Sequence, residues 1–226
     1  MEDDFHHKTI HGLEFKSGSG AQERMFKMAD EEGHRVYIAS DFAYQKNGKK
    51  TLTKAYRSFP NWDSFFESYY PRHMNEWYLY EIIRENQPCR PYFDLDWSLE
   101  DWSVAEVMDE FADWLSKFGV KIEDMATMDG SEGKRGSLHV ILFPWVVPSN
   151  EKMRDWVKKE MAGSEIISGV VDWKIYTKNR LMRLPYSRKM KEEGEDKRML
   201  CPRGHPGVMN LLITHLNGDE KEFPLG

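Results

Sequence analysis

Between Pro91 and Asp96 the chain alternates apolar and acidic residues as Tyr92-Phe93-Asp94-Leu95-Asp96, and a period of two demands a strand with one face in a core. Phe93 and Leu95 then point inward, and Asp94 and Asp96 share the opposite face. Two carboxylates roughly 7 Å apart along a strand repel each other and lose hydration, for which a bound divalent cation is the usual remedy. A strand end with two solvated acids satisfies the same pattern, so the companions of this motif decide between the two.

Two companions lie downstream. The segment Arg135-Gly136-Ser137-Leu138-His139-Val140-Ile141-Leu142-Phe143 also reads as a strand, with Arg135, Ser137 and His139 on one face and Leu138 and Val140 on the other. An arginine, a hydroxyl and an imidazole in one row suit an anionic ligand such as a triphosphate, while a lone histidine in a strand is commonly structural. Further on, Val170-Val171-Asp172 ends an apolar run in an acid, and a cluster of cations follows. Asp172 can complete a carboxylate triad, and Arg180 with Lys189 can hold phosphates.

The remaining periodicities predict mixed α and β. Helical patterns cover 20–32, 61–70, 101–118 and 149–161, and the strongest is the stripe Val104, Val107, Met108, Phe111, Leu115 and Phe118, closed by Gly119. That stripe is core. Strands are expected at 34–40, 76–83, 90–96, 121–128, 136–143, 166–173, 181–184 and 208–216, with turns at 46–49 and 129–134 and a mobile charged turn at 189–197. The loop 129–134 is glycine-rich but lacks the phosphate-loop spacing.

Charge is unevenly distributed. The net charge of −6 argues against non-specific coating of nucleic acid. Residues 94–129 nevertheless hold eleven acids against two lysines, and residues 174–203 hold ten Lys or Arg against four acids. Metals on acids beside phosphates on cations is the arrangement a polymerase needs, although the acids of 100–113 read as the solvated face of a helix. Two cysteines, Cys89 and Cys201, are too few for a disulfide framework. No apolar run has the length of a membrane span and the start Met1-Glu2-Asp3-Asp4 is acidic where a secretory signal is basic. The expectation is a soluble intracellular protein without membrane partners, in the cytoplasm, or in the nucleus or mitochondrion of a eukaryote.

The acid pair, the Ser137-Leu138-His139 motif and the later Asp172, in this order, resemble the archaeo-eukaryotic primase superfamily, in particular its primase-polymerase (PrimPol) branch. The approach Tyr80-Glu81-Ile82-Ile83-Arg84-Glu85-Asn86 and the run Tyr176-Thr177-Lys178-Asn179-Arg180 with Arg183-Leu184 extend the likeness over about Trp77 to Lys189. The resemblance implies an α+β fold with an RRM-like mixed or antiparallel catalytic sheet and helices packed on it. One catalytic core would span 1–226, with a smaller N-terminal αβ lobe over about 1–70 and the catalytic lobe over about 71–226.

It further implies a template-dependent nucleotidyltransferase, a DNA primase or polymerase, with Asp94, Asp96 and Asp172 holding two Mg²⁺ or Mn²⁺ ions. Arg135, Ser137, His139, Arg180 and Lys189 would bind the nucleoside triphosphate. The implied partners are single-stranded or primed DNA and a helicase in the same or a separate chain; the end at Phe223-Pro224-Leu225-Gly226 permits a longer protein. Departures are Asp96, where the eukaryotic members of the branch have Glu, Arg135, where Lys is common, and a missing zinc module. Cys201, His205 and His215 fall short of four ligands, so no structural zinc is expected. An N-terminal template-binding arginine has only Lys54 and Arg57 as candidates. The rival readings are an inactive single-stranded-DNA-binding subunit, which needs none of the three acids, and a metal-dependent nuclease.

Overall fold

A computed structural model of the chain describes residues 6–9, 12–15, 20–69, 78–190, 195–196, 199–204 and 206–225. The elements in chain order are β1 (His6–Thr9), β2 (Gly12–Phe15), α1 (Ala21–Glu32), β3 (Val36–Lys46), β4 (Lys49–Phe59), α2 (Trp62–Tyr69), β5 (Leu79–Ile83) and β6 (Tyr92–Ser98). Then follow α3 (Val104–Ser116), β7 (Met125–Asp129), β8 (Arg135–Leu142), β9 (Trp145–Val146), α4 (Asn150–Glu160), α5 (Glu165–Val170), β10 (Arg180–Arg183), β11 (Lys189–Met190), β12 (Glu195–Asp196), β13 (Cys201–Pro202) and β14 (Lys221–Glu222). The class is α+β with antiparallel main sheets. The chain divides into two compact units, Met1–Ile82 with Leu181–Lys197 and Ile83–Arg180 with Arg198–Gly226. The chain passes between these units at three places.

The first unit is built on a six-stranded sheet of order β1-β2-β4-β3-β5-β10. Its longest pair, β3 and β4, stays in register from Val36↔Phe59 to Lys46↔Lys49. Asn47 and Gly48 both take positive φ, 52° and 74°, which is what a two-residue hairpin turn of matching twist requires. Helix α1 buries Met25, Phe26 and Ala29 against Tyr37, Ala39, Tyr80 and Ile82, with the Phe26 and Tyr37 rings edge to face at 5.2 Å. Lys54 is ion-paired with Asp41, which also accepts the Tyr80 hydroxyl at 2.6 Å, and Arg57 donates to the Ser40 hydroxyl at 2.7 Å. Both candidate template cations therefore have protein partners.

The second unit carries a four-stranded antiparallel sheet of order β13-β7-β8-β6. One face is covered by helices, and Phe93, Leu95, Leu138 and Val140 are fully buried on it. Phe93 meets Phe111 of α3 edge to face at 4.9 Å, Trp114 stacks obliquely on Trp156 of α4 at 5.4 Å, and Trp156 meets Phe223 at 4.8 Å. Helix α3 starts where Ser103 and Glu106 form a reciprocal capping box, with Ser103 N–H on the Glu106 carboxylate at 2.7 Å and Glu106 N–H on the Ser103 hydroxyl at 3.2 Å.

Two predicted strands are corrected. Residues 166–173 are not a strand: Glu165–Val170 is helix α5 and Trp173–Ile175 a 3₁₀ turn. Ser164 caps the helix by accepting the Ile167 N–H at 3.3 Å, and Ile167 and Val170, three apart, are its buried residues. A short apolar run is compatible with either period, and here the cap decides. Residues 208–216 likewise form a 3₁₀ turn, Val208–Leu211, followed by a segment outside any strand. The fully buried Arg90 explains this, because its Nη1 donates to the carbonyls of Met209 and Leu212 at 2.6 and 3.0 Å. Arg90 thus occupies these carbonyls where a neighbouring strand would otherwise pair, and the Met209 carbonyl also accepts the Leu212 N–H at 3.4 Å within the turn.

Smaller differences have local causes. The strand expected from 121 begins at Met125, since the Asp124 carboxylate accepts the Lys121 N–H at 3.1 Å and closes a turn first. Of the predicted strand 76–83, residues 76–77 lie outside the described residues; so do 191–194 and 197 of the turn expected at 189–197, and His205. Within that turn, Lys189–Met190 pairs with Glu195–Asp196.

Candidate metal and nucleotide site

The open face of the β6–β8 pair gathers most of the chemistry expected from the sequence. In register, Asp94 stands opposite His139, Asp96 opposite Ser137 and Ser98 opposite Arg135. Cross-strand pairs share a face, so the two acids, the hydroxyl, the imidazole and the guanidinium form one polar patch. Ser137 and His139 are buried, 4% and 5% exposed, whereas Arg135 is exposed. Asp94 Oδ1 lies 3.5 Å from His139 Nε2, and Asp96 Oδ2 accepts from Arg135 Nη2 at 2.7 Å.

Asp172 reaches this patch through its backbone. Val171 bridges Leu95 as an isolated antiparallel pair, and the Asp172 N–H donates to the Asp94 carbonyl at 2.9 Å. The Asp172 carboxylate caps its own 3₁₀ turn by accepting the Lys174 N–H at 3.0 Å. Behind it the Tyr176 hydroxyl donates to the Tyr92 carbonyl at 2.6 Å. Burial, and then the charges of Asp94, Cys89 and Asp172, push the Tyr176 hydroxyl well above its ordinary range. The phenol therefore stays protonated and remains a donor.

Two further sequence candidates lie on other elements. Arg180 opens β10, and its side chain makes no hydrogen bond or ion pair among the described residues; its Nε is buried. Lys189 belongs to the first unit, exposed on β11 and paired in register with Asp196.

The donor set suits a hard cation only in part. Among the described residues no three His, Cys, Asp or Glu side chains are gathered into a ligating array, because the three carboxylates are turned to a histidine, an arginine and a backbone N–H. One atom points the other way: Asp96 Oδ1 is buried with no hydrogen-bond partner among the described residues. A buried carboxylate oxygen without a donor is destabilising, and an oxygen-seeking cation is the simplest group to satisfy it. The residues fit a divalent cation by the chemistry of their oxygen donors.

Sequence reasoning passed over Gly136, whose role is steric. The indole of Trp97, its cross-strand partner, covers it so closely that a Cβ there would lie 2.2 to 2.5 Å from the ring. Trp97 is in turn held by its N–H on the Trp102 carbonyl at 2.8 Å. A lone glycine inside an alternating strand signals such an approach. Gly136→Ala is expected to expel the indole and destabilise the chain by about 2–3 kcal/mol, read as a lowered urea midpoint with an unchanged slope; a shift under about 0.5 kcal/mol would contradict the packing described.

No family model matches the chain, and no curated protein matches it in sequence. Among the described residues no helix is long and apolar enough to cross a membrane.

Proposed function

We propose that the chain is the catalytic core of a primase-polymerase, a template-dependent nucleotidyltransferase of the archaeo-eukaryotic primase type acting on single-stranded or primed DNA. The observation that carries this reading is the register itself: Asp94 and Asp96 face His139 and Ser137 across one pair of strands, with Asp172 hydrogen-bonded to the backbone of Asp94. A binding module has no use for such a set. The path of the second unit adds support. β6, α3, β7, β8 and α4 run in sequence, β8 lies between β6 and β7, and Val171 makes a one-residue bridge to the other edge of β6, an order compatible with the βαββα part of an RRM-like plan.

Asp94, Asp96 and Asp172 are the residues that would hold two Mg²⁺ or Mn²⁺ ions. When bound, such ions supply charge neutralisation and Lewis-acid polarisation at the reacting phosphate and the 3′-hydroxyl. The protein's own part is positioning and charge. Arg135 presents a half-exposed guanidinium to the triphosphate, with a planar fork suited to two phosphate oxygens. Ser137 and His139, held rigidly by the strand, offer a hydroxyl and an imidazole as donors beside the acids. Arg180 and Lys189 are the remaining phosphate candidates. Nucleoside triphosphates, a DNA template and a helicase are the partners, and the site of action is intracellular.

The test is incubation with 5′-labelled primed template, nucleotides and Mn²⁺. Extension of the primer is the expected result. Shortening of the strand would replace the reading by a nuclease, and a mobility shift without either change would replace it by a DNA-binding subunit.

A further inference from the structure

The segment carrying Asp172 is tied to the sheet by three buried polar side chains, none of which is itself a proposed ligand. Tyr92 and Tyr176 are 1% and 0% exposed, and Asn150 is 0% exposed. The Tyr176 hydroxyl donates to the Tyr92 carbonyl at 2.6 Å. The Tyr92 hydroxyl donates to Asn150 Oδ1 at 2.6 Å, and Asn150 Nδ2 donates to the Thr177 carbonyl at 2.8 Å. The rings of Tyr92 and Tyr176 pack obliquely at 5.2 Å. These bonds form a closed circuit from β6 through the first residue of α4 to residues 176 and 177 and back.

We infer that Tyr176 and Asn150 are positioning residues that fix Asp172 beside Asp94, and so set the affinity of the acidic site for its divalent cations. The inference rests on the metal-dependent reading above and deepens it. Its physical basis is that Asp172 belongs to no extended ladder. Residues 171–172 meet β6 through a single isolated bridge, of which the Asp172 N–H bond to the Asp94 carbonyl is part, so no run of ladder bonds fixes where the carboxylate stands. The circuit anchors the chain four and five residues later, and Asn150 makes the anchor directional. Its amide must accept from one tyrosine and donate to one carbonyl, which only one orientation allows. Apolar side chains of similar volume would fill the space without fixing where residue 172 stops.

Tyr176→Phe removes the hydroxyl and keeps the ring. The matched control is Tyr37→Phe in the first unit, which removes a similarly buried tyrosine hydroxyl, donated to the His34 carbonyl at 3.0 Å. Three readouts separate positioning from plain stability: Mn²⁺ affinity by calorimetry, exchange of the Asp172 amide proton by NMR, and kcat against KM for primer extension. Loss of one buried hydrogen bond predicts that Tyr176→Phe weakens Mn²⁺ binding about tenfold. The Asp172 amide should exchange at least about tenfold faster, and kcat should fall with KM for nucleotide little changed. Tyr37→Phe, with a comparable loss of thermal stability, should alter none of the three. Asn150→Ser, which keeps a small polar group but cannot span both partners, should reproduce the Tyr176→Phe pattern.

Unchanged Mn²⁺ affinity and unchanged Asp172 exchange in Tyr176→Phe would overturn the inference, as would equal effects from Tyr37→Phe. If the wild-type chain binds no Mn²⁺ that depends on Asp94 and Asp96, the metal-dependent reading falls instead. Positioning is then decided by the amide exchange alone, which needs neither metal nor substrate.

Discussion

Replacing Asp94 and Asp96 together by alanine is expected to reduce nucleotide incorporation at least about 10³-fold, to background, while the chain stays folded. The two carboxylates are only partly exposed, at 17% and 33% of their side-chain surface, yet their apolar neighbours Phe93 and Leu95 carry the packing of β6. Removing two like charges from one face relieves repulsion. Against that stands the loss of the Asp96–Arg135 pair, which is exposed on the arginine side and contributes little. The thermal midpoint should therefore move by no more than a few degrees. Incorporation at the wild-type rate by this variant would remove the acids from the chemistry. A collapse of the thermal midpoint would show that they hold the strand rather than a cation.

The second large effect concerns stability. Arg90 is wholly buried, donates to the Met209 and Leu212 carbonyls, and has Glu220 at 3.7 Å. Arg90→Met should therefore destabilise the protein by about 3–5 kcal/mol, as expected when one partner of a buried ionic network is removed and the others stay behind. Urea unfolding measures it, and a loss under about 1 kcal/mol would contradict the role given to Arg90. Glu220 adds a pH signature. Burial works to raise its carboxyl, but the backbone N–H groups of Asn217, Glu220 itself and Gly218, with the Arg90 guanidinium, outweigh burial and hold it below its usual value. A depressed carboxyl contributes stability that is present above its unfolded pKa, about 4.3, and lost as pH falls through the folded value. The stability gap between wild type and Glu220→Gln should be full at pH 7 and close progressively below about pH 4. A gap that persists unchanged to pH 2 would contradict this.

What is legible in the sequence divides along a physical line. Strand β6 and helix α3 announce themselves because each has a buried and a less buried face, and burial writes its own period into the residues; β8 is buried on both faces and is legible from the alternation of its polar and apolar side chains from Arg135 to Val140. The same periodicity places Asp94 and Asp96 on one face of their strand, and Ser137 and His139 on one face of theirs. Residues 165–175 carry no such period, and their conformation depends on the Ser164 cap and on the circuit through Asn150. Residues 208–216 are apolar enough to pass for a strand, but an arginine more than a hundred positions earlier claims their carbonyls. Side-chain bonds to distant backbone leave no local pattern. The position of Asp172 is therefore the part of the site least legible from composition and spacing.

The central claim is that Asp94, Asp96 and Asp172 converge on a pair of divalent cations. Crystals grown with Mn²⁺ and a non-hydrolysable nucleoside triphosphate test it most directly, through the anomalous signal of the metal. Two peaks within about 2.2 Å of oxygens from all three aspartates, with triphosphate density beside Arg135, are the predicted result. Peaks that leave Asp172 without a bond to metal, or metal bound only elsewhere on the surface, would contradict it.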